Sequence, residues 1–204
     1  MNTSIDCYLS IEEPSVGQIK DRGSKFIAYL FPCKNEKSFK DQLDLVKLNE
    51  PNARHYCWAF RLNPESIIER SNDDGEPGNS AGTPILRALQ SNDLVDVACV
   101  VARYFGGTKL GIPGLIHAYG GSAKEACELS TIMESQITRE FEVEFNYEQI
   151  SFVERRVREL NLEIIKREQE SKLKYVIRVN RSKLEQTLDQ FEKNHLLRLT
   201  VIKY

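Results

Sequence analysis

The stretch from Asp93 to Lys124 leaves the chain few ways to fold. Its first part, Asp93 to Phe105, is apolar and rich in β-branched residues, as a buried strand requires. Gly106-Gly107-Thr108-Lys109-Leu110-Gly111 then interrupts it. Beyond the glycines, Ile112, Leu115, Ile116 and Tyr119 are spaced for one face of a helix, with Pro113 where a first-turn proline is tolerated. A strand therefore runs into a glycine loop, and the loop opens a helix. Backbone N–H groups at a helix start favour anions, and Arg103, Lys109 and Lys124 add positive charge nearby.

The rest of the chain reads outward from this stretch. Residues 1–15 are mixed and polar, a short helix or a loose arm. Val16 to Lys20 and Ser24 to Phe31 read as strands joined by the turn Asp21-Arg22-Gly23. Phe39, Leu43 and Val46 mark an amphipathic helix over Glu36 to Leu48, which Asn49-Glu50-Pro51-Asn52 ends. Ala53 to Leu62 reads as a strand with Tyr56, Trp58 and Phe60 on one face. Ser71 to Ser80 is a polar loop, and Thr83-Pro84 opens a helix holding Ile85, Leu86 and Leu89.

From Arg139 the pattern changes. Phe141, Val143, Phe145 and Tyr147 alternate with Glu140, Glu142, Glu144 and Asn146, a strand with one wet face. A helix over Ile150 to Leu160 follows. Strands over Leu162 to Lys166 and Leu173 to Val179 are joined by a charged turn, Arg167 to Lys172. Leu184, Leu188 and Phe191 mark a second helix, and Leu197 to Val201 a last strand. The order β-α-β-β-α-β is the split, ferredoxin-like pattern. The domain boundary falls near residues 132–138, giving domains over 1–134 and 135–204.

Charge and composition narrow the function classes. The net charge of −2 supplies no global attraction to nucleic acid, so a polyanion site must be a local patch. Five cysteines without a Cys-x-x-Cys fit a reducing cytoplasm better than a disulfide framework. No basic region followed by an apolar core opens the chain, so no signal peptide is expected. No apolar run approaches the roughly 20 residues that span a bilayer.

Most chemistry-bearing residues have a bland alternative. Asp73, Asp74 and Glu76 could ligate Mg²⁺, yet their loop lacks calcium-loop spacing and equally describes an ordinary turn. His55 and Cys57 sit two apart, too few for zinc, and a Cys–His nucleophile would need both side chains to meet. His117 on the helix after the loop either helps an anion site or faces solvent. Gly106, Gly107, Gly111 and Gly114 match neither the dinucleotide nor the Walker pattern, and no Gly-x-Ser-x-Gly elbow occurs. The glycines serve close packing, phosphate or RNA-backbone binding, or both. No catalytic residue, metal ligand or cofactor is expected.

Four motifs carry a family resemblance: Gly23-Ser24-Lys25-Phe26; Ala53-Arg54-His55-Tyr56-Cys57-Trp58-Ala59-Phe60; Asp73-Asp74-Gly75-Glu76-Pro77 with Ala81-Gly82-Thr83-Pro84; and Arg103-Tyr104-Phe105-Gly106-Gly107-Thr108-Lys109-Leu110-Gly111. In this order the chain resembles the IMPACT/YigZ family, over roughly residues 15–130. The resemblance implies an α+β protein. Its N-terminal domain would be like a ribosomal-protein domain and domain IV of elongation factor G, and its C-terminal domain ferredoxin-like, as in bacterial YigZ-type members. The eukaryotic relative is a translational regulator with a different N-terminal domain, so its partner does not transfer.

Together these readings favour a non-enzymatic cytoplasmic protein that binds RNA or the ribosome and regulates translation. The expected binding residues are Lys25, Arg54, Arg103, Gly106, Gly107, Lys109, Gly111, His117 and Lys124. Two alternatives stay open: an enzyme that holds a phosphate or nucleotide ligand with the glycine and acidic loops, and an adaptor with a protein partner.

Overall fold

A computed structural model describes residues 6–169 and 172–202. The described chain divides into two compact units. One spans Tyr8–Ser135. The other runs from Gln136 onward and also takes in Asp6 and Cys7.

The first unit contains β1 (Cys7–Ile11), β2 (Ser15–Asp21), β3 (Ser24–Pro32), α1 (Glu36–Asn49), β4 (His55–Leu62), β5 (Ile68–Asn72), α2 (Gly82–Ser91), β6 (Val97–Tyr104), α3 (Gly111–Leu129) and β7 (Ile132–Gln136). Five strands form a sheet in the order β2-β3-β6-β4-β5, every neighbouring pair antiparallel. The apolar run becomes β6, the central strand, buried from Val97 to Arg103. An antiparallel strand is buried on both sides only when both sheet faces are covered, and both are. Phe26, Ala28, Cys57, Cys99 and Val101 pack with α2 and α3 on one face. Phe31, Phe60, Ala98 and Val100 pack with Phe39 and Val46 of α1 on the other.

Side-chain caps and close approaches hold the helices. Asn35 begins α1 by accepting from the Ser38 N–H at 2.9 Å. Its far end is latched by Glu50, whose carboxylate accepts from the Tyr29 and Tyr104 hydroxyls. Helix α3 lies so near β2 that a Cβ on Gly17 would stand 2.4 Å from the backbone of Ser122 and Ala126. Only glycine permits that approach.

The second unit contains β8 (Thr138–Phe145), α4 (Ile150–Glu159), β9 (Glu163–Gln169), β10 (Leu173–Asn180), α5 (Leu184–Glu192) and β11 (Arg198–Ile202). The strands form an antiparallel sheet ordered β11-β8-β10-β9. Phe141, Val143, Phe145, Tyr175 and Ile177 share one core with Val153 of α4 and Phe191 of α5. The glutamates of β8 alternate with that core and meet cations at and just before β10: Glu144 accepts from Lys172 at 2.7 Å and Glu140 from Arg178 at 2.9 Å.

The structure shows three strands that periodicity missed. Cys7–Ile11, within the segment read as a helix or an arm, is a strand, paired with Ile132–Gln136 from the presumed boundary. Both are short and irregular in polarity, so only their mutual hydrogen bonding defines them. Ser71 and Asn72, read as loop, complete β5, an exposed edge strand with no apolar alternation to reveal it. Residues 1–5 and the centre of the Arg167–Lys172 turn lie outside the described residues.

Candidate functional site: a cationic cleft beside a buried carboxylate

The α2/α3 side of the sheet carries the site, and strand alternation decides which motif residues reach it. His55 of β4 pairs in register with Arg103 of β6, so both project from the same face, with Cys57 and Val101 next along it. Tyr56, Trp58 and Tyr104 project from the opposite face. There Trp58 packs on Phe39 at 4.6 Å, so the aromatic strand face is covered by α1.

The acidic loop between β5 and α2 is structural for most of its length. Both Asp73 oxygens accept backbone N–H groups, from Asn79 at 2.8 Å and from Ala81 and Gly82 at 2.9 and 2.8 Å. Asp73 thereby satisfies the first donors of α2, which α2 itself cannot. Asp74 accepts from the Tyr56 N–H at 2.6 Å. Among the described residues no three His, Cys, Asp or Glu side chains cluster to hold a metal ion.

Glu76 does something different. Its side chain is 5% exposed and points at the sheet, where one oxygen accepts from both Arg103 Nη1 and the Tyr119 hydroxyl, the latter at 2.7 Å. Arg103, 8% exposed, lies over the Phe26 and Phe105 rings at 5.4 and 5.7 Å, and its Nε has no hydrogen-bond partner among the described residues. Burial, with Cys57 and Glu76 beside it, pushes the Tyr119 hydroxyl far above its ordinary value and keeps it a donor. Burial likewise raises the Cys57 thiol, which donates to the Asp73 carbonyl at 3.0 Å. A thiol held protonated is a poor nucleophile.

Beside this cluster lies a cleft of ≈ 420 Å³. Arg54, His55, Glu76 and Arg103 form its polar wall, and Phe105, Ile112 and Leu115 its apolar wall. Lys109 and Gly111 bring the start of α3 to its edge. Its N-cap residue, Leu110, makes no side-chain cap hydrogen bond, and the first turn of a helix carries N–H groups without intrahelical partners, although Pro113 contributes none. Arg54 and Lys109 are exposed and form no ion pair among the described residues. Phe105 and Ile112 are 41% and 52% exposed.

The expected binding residues therefore scatter. Arg54, Arg103, Lys109 and Gly111 converge on the cleft, but Arg103 is spent on Glu76. Lys25 pairs in register with Tyr104 and projects from the opposite face. Gly106 packs backbone to backbone: a Cβ there would stand 1.9 Å from the Gly23 carbonyl carbon. Gly107 is exposed, with φ of +90°. His117 is exposed on α3, outside the cleft lining. Lys124 lies about 20 Å along α3 from Gly111 at the helical rise and pairs with Glu128 at 3.5 Å. Sequence reading missed His55, Glu76, Tyr119 and Phe105 as a group. The one available signal was that His55 and Arg103 each sit on the inward face of a neighbouring strand.

A family model for the Impact N-terminal domain matches residues 22–127. IMPACT family member YvyE of Bacillus subtilis is 34% identical over 152 residues, 74% of this chain and 70% of its own. An IMPACT family member of Haemophilus influenzae is 31% identical over 183 residues, 87% of each chain. A crystal structure described only as that of a hypothetical protein aligns over 98% of both chains, with a TM-score of 0.76 and 26% identity.

Proposed function

The chain belongs to the IMPACT family, and from that premise we propose that it is a non-enzymatic cytoplasmic protein that binds RNA or the ribosome and regulates translation through the cationic cleft. The observation that carries this reading is the meeting of two cations without an ion pair among the described residues, Arg54 and Lys109, with a half-exposed aromatic ring, Phe105, over which Arg54 lies at 5.7 Å, at the start of α3. Cations and helix N–H groups bind phosphate without regard to sequence. An exposed ring offers a stacking platform for an unpaired base. The implied likeness of the first unit to a ribosomal-protein domain and to domain IV of elongation factor G supports the same assignment. The β-α-β-β-α-β order of the second unit is a common fold that hosts many functions and decides nothing here.

Ribosome co-sedimentation tests it, comparing the unmutated protein with Arg54→Ala/Lys109→Ala. About two phosphate contacts on single-stranded RNA predict a log–log salt slope near −1.4, or roughly a sevenfold loss of affinity between 50 and 200 mM salt. Pelleting that the double variant retains unchanged at low salt would refute the cleft as the contact. Pull-down of one protein after nuclease treatment, with no pelleting, would replace RNA with a protein partner.

A further inference from the structure

We infer that the cleft accommodates a single ribonucleotide unit and that His55 reads its ribose hydroxyl; this rests on the RNA-binding assignment above. The argument begins with a tautomer. Nδ1 of His55 lies 2.7 Å from the backbone carbonyl oxygen of Asp74. A carbonyl can only accept, so Nδ1 carries the proton, and in the neutral ring Nε2 is left as a lone pair. Gly75, with φ of +85°, turns the loop beside the ring: a Cβ built there would stand 3.7 Å from the imidazole.

Among the described residues no hydrogen-bond donor is seen on that lone pair. The closest charged neighbour, Glu76 Oε1, is 4.0 Å from Nε2 and already accepts from Arg103 and Tyr119. Two acceptors cannot bond each other, and 4.0 Å is beyond hydrogen-bond range. His55 is 28% exposed and lines the cleft, so its acceptor is available to a ligand.

Apart from the Glu76 carboxylate, which already accepts from Arg103 and Tyr119, the remaining polar side chains are of the opposite kind. Arg54, Lys109 and the α3 N–H groups donate only. With Arg103 the three cations outnumber Glu76 by two charges, which matches a phosphate. A ligand complementary to the whole cleft thus combines an anion, a hydroxyl or N–H donor set apart from it, and a flat apolar body against Phe105 and Ile112. A ribonucleotide has all three. Its deoxy counterpart lacks the 2′-hydroxyl, the group by which proteins distinguish RNA from DNA. The volume of ≈ 420 Å³ lies at the small end of the range of about 300–1,000 Å³ for ligand sites, room for one unit rather than a run.

The test titrates the full chain with adenosine monophosphate and 2′-deoxyadenosine monophosphate, by calorimetry and by ¹⁵N NMR of the His55 ring. The ribonucleotide should bind about tenfold tighter, as one hydrogen bond allows, and should shift the unprotonated Nε2 resonance where the deoxynucleotide does not. His55→Phe should equalise the two affinities; the NMR readout needs no variant and holds even if that chain folds poorly. Equal affinities in the unmutated protein, or a protonated Nε2, overturn the inference. If neither nucleotide binds while ribosomes still pellet the protein through Arg54 and Lys109, the single-nucleotide site fails and RNA binding stands. If pelleting also fails, both fall.

Discussion

Replacing Glu76 by alanine removes the one acceptor shared by Arg103 and Tyr119. The two side chains are only 8% and 5% exposed across the Arg103–Glu76 pair, so water reaches the guanidinium left behind only from the cleft that both line. Breaking a buried pair from one side costs about 3–5 kcal/mol, because an uncompensated charge stays in the interior. The Tyr119 hydroxyl loses its acceptor in the same step, within that range rather than in addition to it. With a urea slope of about 2 kcal/mol per molar, a loss of about 4 kcal/mol lowers the midpoint by about 2 M. Trp58, the single tryptophan, lies in this unit against Phe39 and reports its unfolding by fluorescence. The reasoning makes a second demand. Arg103→Met in the Glu76→Ala background removes the stranded charge and leaves an apolar side chain between Phe26 and Phe105, so it should recover at least half of the lost stability. A single variant within 1 kcal/mol of the parent, or a double variant no more stable than the single, would show that Glu76 and Arg103 are not coupled as described.

Neighbouring glycines should behave differently. Gly106→Ala drives a methyl into the Gly23–Ser24 backbone and should cost about 3 kcal/mol or more, whereas Gly107→Ala meets no atom within 4 Å and pays only for its φ of +90°, about 1–2 kcal/mol; urea midpoints compare them. The second unit should weaken in acid. Asp6 is held below its ordinary value mainly by hydrogen bonds from Ser182, and Glu144 and Glu168 by Lys172 and Lys166. Each depressed carboxylate adds stability that is complete above its unfolded value, 3.8 for Asp and 4.5 for Glu, and is lost as pH falls through the lower folded value. Amide exchange in β8 and β10 between pH 6 and pH 3 would follow that loss, and Asp6→Asn with Glu144→Gln should flatten it. A thiol reagent at pH 8 should label Cys7 in the folded protein and reach the buried Cys33, Cys57, Cys99 and Cys127 only in denaturant, since burial, with the Glu128 charge beside it, pushes Cys127 up to about 11; mass spectrometry locates the label.

Long periodic elements were legible in the chain because period and burial report each other. The β6 run, the amphipathic α1 and the strict alternation of Phe141, Val143 and Phe145 each announce an element from local pattern alone. Strands without a pattern were not legible. β1 and β7 exist only through each other, more than a hundred residues apart in the chain. The site divides along the same line. Sequence alone determined that cations and glycines cluster around a strand–loop–helix turn, and the motifs specified the family. It could not assign the cations their partners. Arg103 and Lys109 look alike as charges six residues apart, yet one ends inward at the last turn of a buried strand and the other on an exposed loop. Tertiary structure made Arg103 a buried counter-ion, made Asp73 a helix cap and turned Glu76 inward. It also set His55 Nδ1 2.7 Å from the Asp74 carbonyl oxygen, with the rest of the ring on the cleft wall. Each of these outcomes depends on what a side chain meets across the sheet, and a chain read one residue at a time does not contain that distance.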